Sequence, residues 1–158
     1  MIASGSLVAP NRTIRFTTEQ AENLKSLTRA EFDALQASGQ SINKIGPALS
    51  VAQDLKTGRI SPVFRNDPSG NIPDNLSDIL AQRLANAPDD ILAFERTKGI
   101  ASHSEIYAVD DLLKARPDAN LSDFAVFTQE VKKASLRGEF KPACVQCNYL
   151  LDGVQYVK

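Results

Sequence analysis

Asp123-Phe-Ala-Val-Phe-Thr128 is a nearly continuous apolar run. A strand without polar alternation fits a central place in a sheet covered on both faces. Just upstream, Ser102 to Ala115 (SHSEIYAVDDLLKA) sets Ile106, Val109 and Leu113 on one helical stripe and is stopped by Pro117. Downstream, a charged connection from Gln129 to Lys141 leads to a second helix, Cys144-Val-Gln-Cys-Asn-Tyr-Leu-Leu151, then Gly153 and a short strand, Val154-Gln-Tyr-Val157. Farther upstream, Ala48 to Asp54 and Ile60 to Asn66 read as a β-hairpin turning through Leu55-Lys-Thr-Gly-Arg59, with Pro62 placing the second strand at an edge or bulge.

Asp67-Pro-Ser-Gly-Asn71 is a loop by its turn residues, and two helices are expected after it. Asn75 to Ala85 carries Leu76, Ile79, Leu80 and Leu84 on one face, and Pro88 to Glu95 starts on Pro and two acids and closes at Gly99. Ahead of the hairpin, Thr17-Thr-Glu-Gln20 and Thr28-Arg-Ala-Glu31 have the capping-box pattern, which predicts two short helices ending near Gly39. The order of elements implies an α/β fold, a mixed β-sheet with helices packed on it and a helical N-terminal lead-in. The expected division is a helical extension over 1–45 and a core over 46–158, one domain overall.

The 158 residues suit one hydrophobic core, and 18 Lys and Arg against 19 Asp and Glu leave a net charge of -1. A broad basic surface for coating duplex DNA is therefore not expected. No apolar run reaches membrane-helix length, and Met1 to Pro10 lacks the pattern of a signal peptide. The abrupt start at Met1-Ile-Ala-Ser-Gly-Ser6 is read as that of an excised C-terminal module. Neither a GxGxxG nor a phosphate-binding P-loop is present.

The single histidine and the two cysteines fall in two clusters, His103-Ser-Glu105 and Cys144-Val-Gln-Cys147, each at the predicted start of a helix. Positions i and i+3 are helical neighbours, so both sulfurs can face one side, and a helix N-terminus favours the thiolate that binds metal. His103, Cys144 and Cys147 would be three ligands of Zn2+, leaving the fourth position open as catalytic sites do. Glu105 can share that site only where the backbone is not yet helical, and there it could act as proton shuttle.

His103-Ser-Glu105 followed, across a strand, by Pro142-Ala-Cys144-Val-Gln-Cys147 resembles the H-x-E and P-C-x-x-C signature of the zinc-dependent cytidine deaminase-like superfamily, with one residue inserted between Pro and Cys. The likeness runs from about Ala48 to the C-terminus. It implies a three-layer sandwich, Glu105 as catalytic residue, and His103, Cys144 and Cys147 as metal ligands. The helical lead-in and compact size look most like the deaminase domains of bacterial polymorphic toxins, which include single-stranded-DNA cytosine deaminases and YwqJ-like domains. That resemblance implies hydrolysis of cytosine to uracil in single-stranded DNA, delivery as the C-terminal part of a larger toxin into a target-cell cytoplasm, a cognate immunity protein, no membrane association and a monomer. It also places Asn66 on the substrate. Phe64, Tyr107 and Phe127 are candidates for stacking on a base, and Lys132, Lys133, Arg137 and Lys141 for gripping phosphates.

Plainer readings exist for each motif. Ser102-His-Ser-Glu105 is itself a capping box, the aromatics suit a core, and a charge run is usually a solvated face. Cys144 and Cys147 alone also fit a thiol-disulfide redox pair, and the three ligands a zinc-stabilised interaction domain if Glu105 closes the site. Asp110 can pair with Lys114 and Asp89-Asp90 suits a helix start, so neither pair is assigned chemistry.

Overall fold

Two strands buried along their whole length form the centre of the structure, a computed structural model that describes residues 13–94 and 99–158. They are β1 (Ala48–Asp54) and β3 (Phe124–Glu130), antiparallel over seven residue pairs from Ala48 opposite Glu130 to Asp54 opposite Phe124. The edges are short: β2 (Phe64–Arg65) pairs antiparallel with β1, and β4 (Gln155–Tyr156) pairs parallel with β3, giving the order β2-β1-β3-β4. The apolar run at 123–128 thus has the central, doubly covered place its composition implies. Pro62 lies on the edge connection, where Ser61 breaks the ladder by accepting the Ala52 N–H with its hydroxyl.

Alternation along the inner strands divides the core. Ala52, Phe124 and Val126 face one way, onto α5 (Ser104–Ala115), together with α3 (Asp78–Ala85) and α6 (Val145–Leu150). Val51, Ala125 and Phe127 face the other way, onto Ala21 and Leu24 of α1 (Thr18–Ala37). Three layers result, helix on sheet on helices. Burying side chains such as Phe124 or Leu113 stabilises by roughly 1.5–3 kcal/mol each, so neither face of the sheet can be left open.

Several expectations are corrected. The lead-in is one 20-residue helix, α1, not two: Thr17 and Gln20 form a real capping box, whereas Thr28 is buried inside the helix with its hydroxyl turned back to Lys25 O. A short helix, α2 (Ile42–Ile45), was not expected; Ser41 caps it. The helix expected from Pro88 to Gly99 is the single turn α4 (Asp89–Leu92), and positions 95–98 of that expectation lie outside the described residues.

The connection after β3 is tied back to that strand. Glu130 N donates to Glu139 O, Lys141 N to Thr128 O, and the buried Glu130 carboxylate takes the amides of Lys132 and Lys133 and the Lys141 ammonium. Burial alone pushes this carboxyl up, but those donors together outweigh it and hold its pKa below the ordinary value. At the far edge, the Gln155 side chain spans three segments, donating to Ile14 O and Ser122 O and accepting from Phe16 N. Among the described residues, no helix is long and apolar enough to cross a membrane.

Candidate metal centre

Two helix N-termini meet at one end of the sheet. His103 is the N-cap of α5 and Cys144 the N-cap of α6, both in extended backbone. The approach to His103 is tightly set: a Cβ on Gly99 would run into the carbonyl of Gly70, and Asp67 N donates to Ser102 O. Ala101, buried, takes a φ of 66°, a conformation that costs an L-residue about 1–2 kcal/mol. The Ser102–Glu105 capping box does not form, because Ser102 gives its hydroxyl to Gly99 O. Instead Asn66 Oδ1 accepts the Ser104 N–H at 2.8 Å, and the buried Ser104 hydroxyl lies 2.7 Å from Ser50 Oγ, itself 2.7 Å from Thr128 Oγ1. The first turn of α5 is thereby fixed to both inner strands. His103 still has extended backbone while Glu105 is already helical, which lets residues two apart serve one place.

His103 Nδ1 lies 3.3 Å from Cys147 Sγ and 3.6 Å from Cys144 Sγ, and the three donor atoms all lie within 4.8 Å of one another. A tetrahedron with zinc-sulfur and zinc-nitrogen bonds of ordinary length has a sulfur-nitrogen edge of about 3.6 Å, so the donor set and its spacing fit such an ion. Among the described residues, this is the group of His, Cys and acid side chains close enough together to hold a metal.

Charge is unevenly shared here. The Cys144 thiol is lowered to about 4, chiefly by the hydrogen bond from Cys147, with His103 adding to it, so Cys144 is the readier thiolate. Cys147 is pushed well up by the same contact and by burial. His103 is raised by its bond to Cys144 despite burial. Glu105 is 4% exposed, and loss of water drives its carboxyl up even though His103 pulls the other way. A buried carboxyl with a raised pKa holds a proton more readily than an exposed one, a property that acid-base chemistry uses.

A cavity of about 290 Å³ opens over His103, Glu105 and Cys144, walled by Asn66, Phe94, Thr128, Lys141 and Pro142. That volume lies at the small end of the range of roughly 300–1,000 Å³ for ligand sites, and suits one planar ring better than an extended cofactor.

The structure thus gathers His103, Glu105, Cys144, Cys147 and Asn66. Phe64 and Tyr107 instead pack on each other with tilted rings, centroids 5.9 Å apart, beside a separate depression with Asp74 and Asp110, and Tyr107 donates to Asn71 O. Phe127 is buried against α1 on the opposite face of the sheet. Arg137 spends its guanidinium on the carbonyls of Val131 and Lys132, and the connection expected to grip phosphates freely is pinned by Glu130. Phe94 and Thr128 were missed. Thr128 shares the α5-facing register of Phe124 and Val126, a signal present in the alternation; nothing in the sequence marked Phe94.

The chain is 29% identical over 139 residues, 85% of its length, to Toxin YwqJ of Bacillus subtilis (strain 168). It spans 23% of that protein. No protein-family model matches the chain, and no solved structure does.

Proposed function

We propose that this chain is the catalytic domain of a bacterial toxin, a zinc-dependent deaminase that converts cytosine to uracil in single-stranded DNA. The observation that carries the reading is the meeting of His103, Cys144 and Cys147 beside a one-ring cavity that the buried Glu105 also lines. The similarity to Toxin YwqJ supports the toxin assignment, and with it a cognate immunity protein and delivery as part of a longer protein.

His103, Cys144 and Cys147 would hold the ion. Zinc, when bound, supplies an electrophile that makes water nucleophilic at neutral pH. The reaction adds water across C4 of the base and releases ammonia, leaving a carbonyl at C4. Glu105 takes a proton from the attacking water and returns it to the departing amine. Asn66 holds the α5 first turn with its side-chain oxygen and lines the cavity. Phe94 offers a wall for the base and Thr128 a hydroxyl.

The deciding experiment is to express the domain in cells and sequence their DNA. C-to-T changes support the reading; their absence from an active, zinc-loaded protein, or A-to-G changes, overturn the cytosine assignment. The uneven cysteine pair also suits thiol exchange, and metal content separates the two, since a redox pair needs no zinc and leaves His103 and Glu105 idle.

A further inference from the structure

A second, wider groove of about 450 Å³ adjoins the cavity and shares Asn66 and His103 with it. Its walls come from α2, β2 and the start of the connection after β3, and they carry three cations, Lys44, Arg65 and Lys132. All three are exposed, and among the described residues none has a carboxylate within ion-pair distance. Arg65 is held by neutral acceptors, Gln40 Oε1 at 2.8 Å and Lys44 O at 3.3 Å, which aims the guanidinium without cancelling its charge. The one acid in the groove, Asp67, already accepts the amides of Ser69 and Asn71. In a chain of net charge -1, this is a local positive strip that leads directly into the site.

We infer that this groove binds the phosphodiester backbone of the strand next to the target base, so that the substrate is a single-stranded polynucleotide and not a free nucleoside or base. The inference rests on the deaminase reading for what happens in the cavity, and deepens it. Cations along a groove track a backbone, while a narrow pocket takes one base turned out of the strand. The assignment differs from the expectation from sequence: Lys132 belongs to the track, whereas Lys133 lines neither cavity and Arg137 is occupied by backbone carbonyls.

The test is binding, measured by fluorescence anisotropy on the full chain carrying Glu105→Gln so that no turnover occurs. The probe is a labelled oligodeoxynucleotide of about a dozen nucleotides, a length within reach of one domain. Combined Lys44→Gln, Arg65→Gln and Lys132→Gln should weaken binding by at least about tenfold and lower the slope of log affinity against log salt by about 2, as three lost phosphate contacts imply. Lys133→Gln with Arg137→Gln should change affinity by less than about twofold. Should Arg65→Gln unfold the chain, the exposed pair Lys44→Gln and Lys132→Gln should still lower the slope by more than about 1. An equal loss in the Lys133 and Arg137 variant, an unchanged slope, or displacement of the probe by polyglutamate as readily as by unlabelled strand overturns the inference. Strand binding through the groove, with no uracil formed by the zinc-loaded chain that keeps Glu105, would sink the deaminase reading alone. Deamination of free cytidine as fast as of a strand, and equally by both sets of substitutions made in the chain that keeps Glu105, would sink the groove alone.

Discussion

The same three elements, β1, β3 and α5, bury carboxylates at both of their ends, and the acids gathered on Arg116 and the lone Glu105 are treated in opposite ways. At the far end Asp54 and Asp123 converge on Arg116, the C-cap of α5, at 2.8 and 2.7 Å. Burial pushes Asp54 up, but Arg116 and the amides of Lys56 and Thr57 outweigh it and hold its carboxyl below the ordinary range. At the near end Glu105 is as deeply buried and has no cation bound to it; its pKa goes up. The Arg116 cluster holds the layers together, as Glu130 with Lys141 holds the connection after β3, whereas Glu105 is left with a raised carboxyl, the kind of perturbed group that also occurs where protons are moved.

The sharpest way to break this contrast is Glu105→Gln. Uracil formation should fall by roughly a hundredfold to ten-thousandfold, while zinc content and melting temperature hold steady or rise, because a group that resists ionisation has been replaced by a neutral one. A matching loss of stability would make Glu105 a structural residue like Asp54. Next in size, Arg116→Met leaves two buried acids without their cation and should cost about 2–3 kcal/mol in denaturant unfolding, less than a fully enclosed pair because Arg116 keeps some exposure. Activity per folded molecule should not change.

The acid limb of stability gives a third measurement. A carboxyl with a lowered folded pKa contributes stability above its unfolded value, about 3.9, and loses it as pH falls through the folded one. Stability should therefore drop on acidification below about pH 4, and Asp54→Asn should be less stable at neutral pH and flatter in that window. Ser50→Ala removes the middle hydroxyl between Ser104 and Thr128 and should cost about 1–2 kcal/mol, with a rate loss if it lets the α5 first turn shift. The smallest effect belongs to Arg59→Ala, whose pair with Asp111 is exposed: about 0.5 kcal/mol or less by thermal melting. A large loss there would show that the far end depends on more than its buried triad.

How far the sequence reached can be seen at particular residues. The gathering of His103, Cys144 and Cys147 was legible because the chain has one histidine and two cysteines, and each group lies where a helix must begin. The central strand was legible because Phe124 to Phe127 leaves no polar face. Thr28 misled because a hydroxyl three residues before an acid looks the same whether it starts a helix or turns back inside one. Lys44, Arg65 and Lys132 did not stand out as a group for a different reason: they are distant in sequence, and only the fold, with β2 paired to β1, brings them to one groove. Phe64 and Tyr107 sit on the elements expected to reach the base, yet they satisfy each other.

The Gln155 clamp bears on where the chain enters the fold. β4 lies beside the start of β3, Gln155 opposite Ala125, and the side chain of Gln155 grips Ile14 and Phe16 there, whereas the cavity lies toward the end of β3 at Thr128. The chain therefore enters the described fold at Ile14 beside the β4 edge near Ala125, and not beside Thr128 at the cavity. Loss of the Gln155 clamp would free Ile14 and Phe16 from the sheet edge while leaving the ties at Ser50, Ser104 and Thr128 in place.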